Sequence, residues 1–438
     1  MLKIRVFETF AGIGAQHKAL KILKDKKILD FEIAGTSEWD MWANISYNAM
    51  HHNSKNVANK LDDETINEFL CKFDHSSDSK TPISNSNLVR KDRKVRELLY
   101  SAIKNCNNQG SILNVKGAEL IKNIGEFDML TYSFPCQDLS VAGSLHGFNQ
   151  GMAKGSGTRS GLLWEIERIL NELCSINKLP KYLLLENVRN MISERHKADY
   201  QEWIDFLHEL GYNTQTYVLN AKDYGIPQSR ERVYALSVRG EDKLFHDTYT
   251  RTGLIREKKN PTDISKKLKI SKKIYEIIKV DYNHAKYREE AIESTPNRTP
   301  SRKTMYSCNH KLFSLSEEKI IESNNGRKIY SVDERSNGYF LNLCRTITTK
   351  QDRHPNAGVV DLCGTSLEKL ENKAKYRLLT PRETFLLMGF SEKDFDNIKK
   401  LDLIKNSILY RQAGNSIVVN VLVAIFNKIV EMEENKNV

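Results

Sequence analysis

The stretch KIRVFETFAGIGAQHKALKIL, residues 3–23, decides the fold class of this chain. Residues 3–10 are rich in β-forming side chains and become apolar towards their end, which is typical of a strand entering a buried sheet. Gly12 and Gly14 interrupt this run, and the spacing of apolar residues over 15–23 then predicts a helix. A strand, a glycine turn and a helix in this order begin a parallel α/β unit, in which backbone can approach a ligand at the carboxyl edge of the sheet.

The same alternation of strand and helix continues to about residue 240. Strands are predicted over residues 31–37, 127–133, 182–186, 214–219 and 232–238, and helices over residues 41–51, 162–174 and 200–210. Strands separated by helices indicate a mostly parallel sheet covered on both faces. The sequence therefore predicts an α/β fold.

Two segments depart from this alternation. Residues 53 to about 108 are polar and end in a basic run, 88–105, that predicts a helix, so we interpret them as an insertion. Residues 241–375 are rich in Lys, Ser, Asn and Thr with short apolar pieces, which predicts a loop-rich or small-stranded second domain. Helices are predicted again over 381–389 and 416–430. The predicted division is a main domain of residues 1–240 and 376–438 and a smaller domain of residues 241–375.

Composition narrows the class of protein. A chain of 438 residues with 39% hydrophobic and 28% charged residues is neither fibrous nor wholly disordered. We expect a cytoplasmic protein with no membrane partner, because no apolar run approaches ~18 residues and the start, MLKIRVFETF, lacks the apolar segment of a signal peptide. Seven cysteines without a C-x-x-C pair argue against a disulfide framework and against a metal site.

The charge balance favours a polyanion as the large partner. The net charge is +11, and residues 241–375, with 27 Lys+Arg and 19 Asp+Glu, carry +8 of it. A solvated surface in a lysine-rich proteome is the alternative explanation.

An acidic and an aromatic residue follow the second predicted strand. The glycine turn alone is weak, because its spacing does not complete a G-x-G-x-x-G fingerprint and a plain tight turn is the alternative. Glu38 and Trp39 strengthen it, since a carboxylate there can bind both hydroxyls of a ribose and an indole can stack on adenine. Together they indicate an adenosyl cofactor.

A cysteine, an acid and two arginines follow later strands. Cys136, in the sequence SFPCQ after the strand at 127–133, is either an inert buried thiol or a nucleophile. The loop after it, residues 141–160, holds five glycines and is typical of a mobile lid. Glu186 ends an apolar strand, as a structural group or as an acid of raised pKa. Arg230 and Arg232 stand at period 2, which suits gripping a carboxylate or phosphate, or plain surface charge.

These residues together resemble the motifs of the DNA (cytosine-5) methyltransferases. The resemblance lies in FAGIG at 10–14 and EWD at 38–40 (cofactor), PCQ at 135–137 (nucleophile), ENV at 186–188 (acid) and QSRER at 228–232 (paired arginines). RLLTPRE at 377–383 and GNS at 414–416 resemble the last two motifs, and the order is the family's. The catalytic half is most similar to mollicute enzymes that methylate CpG, although the target sequence stays open.

The resemblance implies a Rossmann-like class I methyltransferase domain, a smaller target recognition domain and the cofactor S-adenosyl-L-methionine. It implies that Cys136 attacks carbon 6 of cytosine, that Glu186 holds ring nitrogen 3, and that Arg232 and Arg230 position base and acid. The implied cofactor-binding residues are Phe10, Gly12, Gly14, Glu38, Trp39, Asn114, Pro135, Asn415 and Ser416. Asn114, or alternatively Ser111, stands where the family has an aspartate that binds the adenine amino group.

The partner implied by the resemblance is double-stranded DNA, from which the target cytosine is flipped. Contacts to DNA are expected from residues after the nucleophile and near the threonine element of the recognition domain: Gln137, Ser140, Arg345, Thr346, Lys350, Gln351 and Arg353. We expect a monomer, and a restriction endonuclease as functional partner stays open. The alternatives are an RNA cytosine-5 methyltransferase and a non-catalytic DNA-binding homologue.

Overall fold

Alternating strands and helices make up much of the structure, a computed structural model that describes residues 1–136, 138–139, 151–155, 158–240, 249–250, 253–254, 272–324 and 329–435. The strands are β1 (Leu2–Thr9), β2 (Leu29–Ser37), β3 (Met129–Tyr132), β4 (Tyr182–Val188), β5 (Tyr212–Asn220), β6 (Gln228–Ser229), β7 (Glu231–Arg239), β8 (Tyr249–Thr250), β9 (Gly253–Leu254), β10 (Lys311–Ser314), β11 (Tyr330–Asp333), β12 (Gly338–Leu341), β13 (Cys344–Arg345), β14 (Val359–Asp361) and β15 (Tyr376–Leu378). The helices are α1 (Ala15–Asp25), α2 (Met41–His51), α3 (Asp63–Leu70), α4 (Asn85–Val89), α5 (Arg93–Asn105), α6 (Gly117–Ile124), α7 (Leu163–Ser175), α8 (Lys197–Glu209), α9 (Ile274–Ile277), α10 (Ala285–Glu293), α11 (Pro300–Cys308), α12 (Glu317–Ser323), α13 (Pro381–Leu387), α14 (Glu392–Lys399), α15 (Asn406–Asn415) and α16 (Val419–Asn435).

The chain divides into two units. The first comprises Met1–Leu219, Glu231–Ile264 and Leu422–Val438, and the second comprises Asn220–Arg230 and Ser265–Val421. The second unit thus includes residues 376–421, which the sequence analysis assigned to the main domain. The assignment of the catalytic and recognition domains stays a prediction.

The sheet of the first unit has the order β2-β1-β3-β4-β7-β5. Strands β1, β2, β3 and β4 are parallel to one another, whereas β7 runs antiparallel to β4. The predicted α/β fold with a mostly parallel sheet is therefore confirmed. Because the carboxyl ends of the four parallel strands meet at one edge, residues that follow them lie side by side.

Helices cover this sheet because each turns an apolar face towards it. Strand β3 and the first six residues of β4 are buried, as an almost continuous apolar run requires. The fully buried indole of Trp203 on α8 lies in the same hydrophobic cluster as Leu130 of β3 and Leu170 of α7. The predicted strands of this unit and its helices predicted at 15–23, 41–51, 162–174 and 200–210 are present, with ends shifted by at most three residues.

The insertion at 53–108 folds as three helices, α3, α4 and α5. The helix predicted over 88–105 is confirmed by α5 for residues 93–105, whereas residues 90–92 separate α5 from α4. The physical reason is capping: the Asp92 carboxylate accepts the N–H of Lys94, at 2.8 Å, and so starts α5 anew. Arg93 and Arg96 then turn inward, pairing with Glu97 at 2.6 Å and Asp63 at 3.1 Å respectively.

The second unit contains a five-stranded sheet of order β11-β12-β10-β14-β15. The expected loop-rich or small-stranded character is present, since each of these strands has three or four residues. Strand β13 pairs in parallel with β6, which joins Arg345 to Ser229 in register.

The RLLTPRE stretch lies inside the second unit and carries a buried ion pair. Arg377 and Glu383 are both fully buried, and two nitrogens of the guanidinium each lie 2.8 Å from a carboxylate oxygen. Glu383 also caps α13, since it accepts the N–H of Thr380 at 2.8 Å. This motif is part of the framework of the unit.

One stretch of the described residues, Asn406–Glu434, is long and apolar enough to cross a membrane, with a mean hydropathy of 1.6 in its most apolar window. Most of this apolar stretch, 78%, is buried inside the protein, and core helices can be equally long and apolar. The stretch is weak support for a membrane span.

Candidate active site

The glycine turn after β1 is held by a tight approach of α2. Gly12 and Gly14 both have positive φ, 54° and 76°. A β-carbon on Gly14 would lie 2.5 Å from Nε2 of His51 and 2.6 Å from a ring carbon of Tyr47, so no side chain fits there. Phe10 also has a positive φ, 52°, which marks the backbone before the turn as strained. Packing thus accounts for Gly14 and leaves the backbone of the turn to face the sheet edge.

A buried acid that the sequence analysis missed lies beneath this turn. Glu8 of β1 is fully buried, and Oε2 accepts the hydroxyl of Tyr47 at 2.9 Å. Burial raises the pKa of Glu8 to about 8, against the lowering effect of the hydrogen bonds from Tyr47 and the His17 backbone. Glu8 is therefore mostly protonated at neutral pH. The sequence around Glu8 does not distinguish it from an acidic residue on the exposed face of a strand.

Glu38 joins the first two cofactor motifs. Its Oε2 accepts the N–H of Gly12 at 2.9 Å, and its Oε1 accepts the N–H of Asp40 at 2.7 Å. Burial, and next the charge of Asp40, raise the pKa of Glu38 to about 7, although these N–H groups oppose the shift. Trp39, partly buried, follows it. The Glu38 carboxyl group is thus fixed at the glycine turn, and its pKa lies near neutral pH.

Asn108, a residue of the insertion that the sequence analysis missed, holds the backbone of Glu38. Its side-chain oxygen accepts the Glu38 N–H at 3.1 Å, and its amide donates to the Glu38 carbonyl at 2.9 Å. Asn114 is exposed, and its amide donates to Asp74 at 2.7 Å, whereas Ser111 is buried. Both Asn114 and Ser111 therefore remain candidates for the position at which the family has an aspartate. Asp74 places a carboxylate beside Asn114.

The cysteine loop after β3 is anchored by two hydrogen bonds to its backbone. The Asn187 amide, next to Glu186, donates to the carbonyl of Phe134 at 3.1 Å. The Ser160 hydroxyl donates to the carbonyl of Pro135 at 2.7 Å. Cys136, partly buried, comes directly after these anchors. The thiol is therefore held at the carboxyl edge, beside the exit of β4.

Glu186 and Arg232 meet on adjacent strands. Nε of Arg232 lies 3.4 Å from Oε1 of Glu186, and the two side chains are only 17% and 11% exposed. The antiparallel pairing of β4 with β7 aligns Val188 with Arg232 and Glu186 with Tyr234, which brings the two groups together diagonally. A guanidinium at this distance can orient the carboxylate.

Arg230 makes different contacts from Arg232. Its guanidinium is buried in the second unit and donates to three backbone carbonyls: Ile347 at 2.8 Å, Gly414 at 3.0 Å and Ser416 at 2.9 Å. These contacts show that Arg230 links three backbone segments of the second unit. That it also positions the base stays a prediction. Asn415 is exposed and Ser416 buried, and both lie in the second unit.

Gly414 is required where α15 approaches the strand-end segment at 348–349. A β-carbon there would lie 2.4 Å from the backbone nitrogen of Thr349 and 2.5 Å from the backbone carbon of Thr348. Because backbone cannot yield as a flexible side chain can, we expect Gly414→Ala to lower the free energy of unfolding by about 1–3 kcal/mol. Chemical denaturation checks this, with exposed Asn415→Ala as the neighbouring control. Equal stability of the two variants would contradict the close-approach argument.

The predicted DNA-reading residues differ in their exposure and in their contacts. Thr346 donates its hydroxyl to the Ser229 carbonyl at 2.7 Å, while Arg345, Lys350 and Arg353 are exposed. Gln351 is fully buried and accepts the N–H of Ala357 at 3.3 Å, which leaves no surface for a base edge, so we drop it as a reader. Gln137 and Ser140 lie outside the described residues.

Arg159 is a further residue that the sequence analysis missed. Its guanidinium donates to the carbonyl of Ser79 in the insertion. Burial lowers its pKa, and Asp138, Asp78, the Cys136 thiol and Glu38 act in the opposite direction. Arg159 directly precedes Ser160, whose hydroxyl anchors the cysteine loop at Pro135. Within the described ranges, no group of His, Cys, Asp or Glu side chains could hold a metal.

Solved structures with this fold are methyltransferases. The Dnmt2 methyltransferase of S. pombe matches with a TM-score of 0.51 at 18% identity, covering 98% of both chains. The methyltransferase EhMeth of Entamoeba histolytica matches with a TM-score of 0.52 at 14% identity, covering 98% of this chain and 99% of the other. The fold is therefore that of the α/β methyltransferases.

The chain belongs to the C-5 cytosine-specific DNA methylase family, whose pattern matches residues 87–431. It is 35% identical over 432 residues to the orphan methyltransferase M.SssI of Spiroplasma monobiae, covering 98% of this chain and 97% of that protein. It is 32% identical to the type II methyltransferase M2.ScrFI of Lactococcus lactis subsp. cremoris, covering 97% and 99% respectively. The predicted family and its mollicute resemblance are confirmed, and the protein is a DNA cytosine-5 methyltransferase.

Proposed function

We propose that this enzyme transfers a methyl group from S-adenosyl-L-methionine to carbon 5 of a flipped cytosine in a short, specific duplex sequence. The observation that carries the proposal is the placement of the Cys136 loop beside the Glu186 and Arg232 pair, at the same sheet edge as the glycine turn and Glu38. One thiol, one carboxylate and one cofactor cradle are the parts that this reaction needs.

The residues at the glycine turn fit S-adenosyl-L-methionine. Each oxygen of the Glu38 carboxylate accepts one backbone N–H, which leaves lone pairs for the two hydroxyls of a ribose. Gly12, Gly14, Phe10 and Trp39 would line the same position. When bound, the cofactor supplies an electrophilic methyl group on a sulfonium sulfur.

The chain's own residues prepare the cytosine. The Cys136 thiolate forms a bond to carbon 6, which turns carbon 5 into an enamine-like nucleophile. Negative charge then develops on the ring, and Glu186, oriented by Arg232, holds a proton at ring nitrogen 3. After the methyl group has transferred, a water takes the proton from carbon 5. The electron pair of that carbon–hydrogen bond restores the double bond between carbons 5 and 6, and the carbon–sulfur bond breaks with its electron pair leaving on the Cys136 thiolate.

Cofactor affinity is expected to depend on pH through Glu38. Its pKa of about 7 means that the carboxyl is half protonated at neutrality, and the ionised form is the better acceptor for two ribose hydroxyls. Affinity should therefore rise as pH increases, by about tenfold between pH 6 and 8. Calorimetric titration with S-adenosyl-L-methionine measures it.

Glu38→Gln is expected to weaken cofactor binding about 10- to 100-fold and to flatten this pH profile. Glu32→Gln, on β2 six residues before Glu38 and paired with Arg5 at the surface, is the matched control and should bind as the wild type does. The same pH profile in Glu38→Gln and wild type would sink the assignment of Glu38.

The proposed reaction is tested by bisulfite sequencing of DNA from cells that express the chain. We expect cytosine methylation at carbon 5 in one short sequence, which also identifies the target. Absence of new methylation from a protein that folds and binds the cofactor would contradict a DNA substrate and favour RNA.

The wider setting is also a proposal. The type II designation of the Lactococcus relative M2.ScrFI supports a part in a restriction-modification system. The net charge of +11 supports association with nucleoid DNA in the cytoplasm, and we propose that the enzyme acts there as a monomer.

A further inference from the structure

The insertion contains a cleft of about 580 Å³ lined mostly by polar and cationic residues. We call it the basic cleft: its polar lining residues are the hydroxyls of Ser77, Thr81 and Ser84, the amide of Asn87, and the cations of Arg90 and Lys91. No carboxylate is among the lining residues. The two acids next to lining residues along the chain already accept backbone N–H groups: Asp78 from Lys80 and Thr81 at 2.8 and 2.9 Å, and Asp92 from Lys94 at 2.8 Å.

The cationic side chains of the basic cleft take no part in the ion pairs that stabilise the described part of the insertion. Arg93 and Arg96, in the same basic run, pair with Glu97 and Asp63. In the part of the chain that the structure describes, the side chains of Arg90 and Lys91 have no hydrogen bond or ion pair. Arg90 is exposed, so its guanidinium is available to an external anion.

The rim of the basic cleft is fastened to the candidate active site. Ser76 donates its N–H to the Trp39 carbonyl at 2.8 Å and accepts the N–H of Met41 at 2.9 Å. The Ser79 hydroxyl donates to the Asp40 carboxylate, and the Ser79 carbonyl accepts the guanidinium of Arg159. These bonds join the segment that carries the basic cleft to the motif at 38–40 and to Arg159, whose neighbour Ser160 anchors the cysteine loop.

We propose that the basic cleft binds a backbone phosphate of the substrate duplex. This inference rests on the proposed function. Arg90 and Lys91 supply the charge, while Ser84 and Asn87 supply neutral polar groups, the set that commonly contacts DNA phosphate. Such a contact positions the duplex and carries no sequence information. The insertion is thereby a second DNA-contacting element, separate from the predicted recognition domain.

The test compares the double variant Arg90→Gln/Lys91→Gln with Lys26→Gln/Lys27→Gln. The control removes the same charge from an exposed pair just after α1, at the opposite edge of the sheet. Binding to a fluorescein-labelled duplex is measured by anisotropy between 50 and 200 mM KCl. Each lost phosphate contact should reduce the slope of log K against log salt by about 0.9. We expect about tenfold weaker binding at 100 mM, equal for duplexes with and without the target sequence.

Unchanged affinity and slope in the cleft variant would overturn the proposal, and so would a loss confined to duplexes that contain the target. A slope reduced equally in the control would also overturn it, since the effect would then be one of net charge. The proposed function fails separately: a wild type that binds duplex but transfers no methyl group contradicts catalysis, while the difference in slope still decides the basic cleft.

Discussion

Replacing Cys136 with serine is expected to reduce methyl transfer by about 10⁴-fold or more. The change removes one polarizable sulfur and keeps the size of the side chain. Because the anchors of the loop bind the backbone of Phe134 and Pro135, the loop geometry should survive. A hydroxyl is a far weaker nucleophile than a thiolate at neutral pH, and the addition to carbon 6 then becomes limiting. Tritium transfer from labelled cofactor to duplex DNA measures the rate.

The matched control for this prediction is Cys174→Ser, at an exposed free cysteine on α7. It should methylate as the wild type does, and Cys136→Ser should still bind cofactor and duplex. A duplex carrying 5-fluorocytosine adds a direct readout: wild type and control should form a covalent adduct, and Cys136→Ser should form none. An adduct with Cys136→Ser, or more than about 1% of wild-type rate, would show that another group is the nucleophile.

Replacing Arg377 with methionine is expected to lower the free energy of unfolding by about 3–5 kcal/mol. Arg377 is fully buried, and its guanidinium also donates to the Tyr282 hydroxyl at 3.1 Å and to the Lys279 carbonyl at 3.0 Å. Removing it leaves Glu383 buried without its counter-charge. Since Glu383 caps α13 as well, it cannot turn away without uncapping that helix. Urea denaturation followed by circular dichroism measures the loss.

Two variants complete the Arg377 experiment. Arg353→Met removes an exposed arginine whose carboxylate partner is Asp352, at 3.0 Å, and should cost less than about 1 kcal/mol. The double variant Arg377→Met/Glu383→Gln should recover part of the stability, because no uncompensated charge is then buried. A loss under about 1 kcal/mol for Arg377→Met would contradict the framework role of RLLTPRE.

The order of strands and helices in the first half of the chain could be predicted from the sequence. Burial of a strand on both faces requires an apolar run such as Leu183 to Leu185, and burial of a helix on one face requires apolar residues at period 3.6. Both patterns are local, so they can be read without knowing the partners. The family motifs extended this to the cofactor turn, the thiol and the acid.

The partners of polar side chains could not be predicted in this way. Arg230 and Arg232 stand two residues apart, yet one binds carbonyls at 347, 414 and 416 and the other lies beside Glu186. Gln351 and Lys350 are neighbours, yet only Lys350 is exposed. Contacts between segments distant along the chain decide the difference between the two arginines, since Arg230 binds carbonyls more than a hundred positions away and Arg232 pairs with a carboxylate on another strand.

Sequence patterns alone were therefore sufficient for the fold class, the family and the position of Cys136 at a strand end. The tertiary structure alone placed Asp74 beside Asn114, Asn108 beside the backbone of Glu38, and Arg159 against Ser79 of the insertion. The reason is physical: hydrophobic periodicity records burial along the chain, whereas a hydrogen bond or ion pair depends on where two distant segments meet in space.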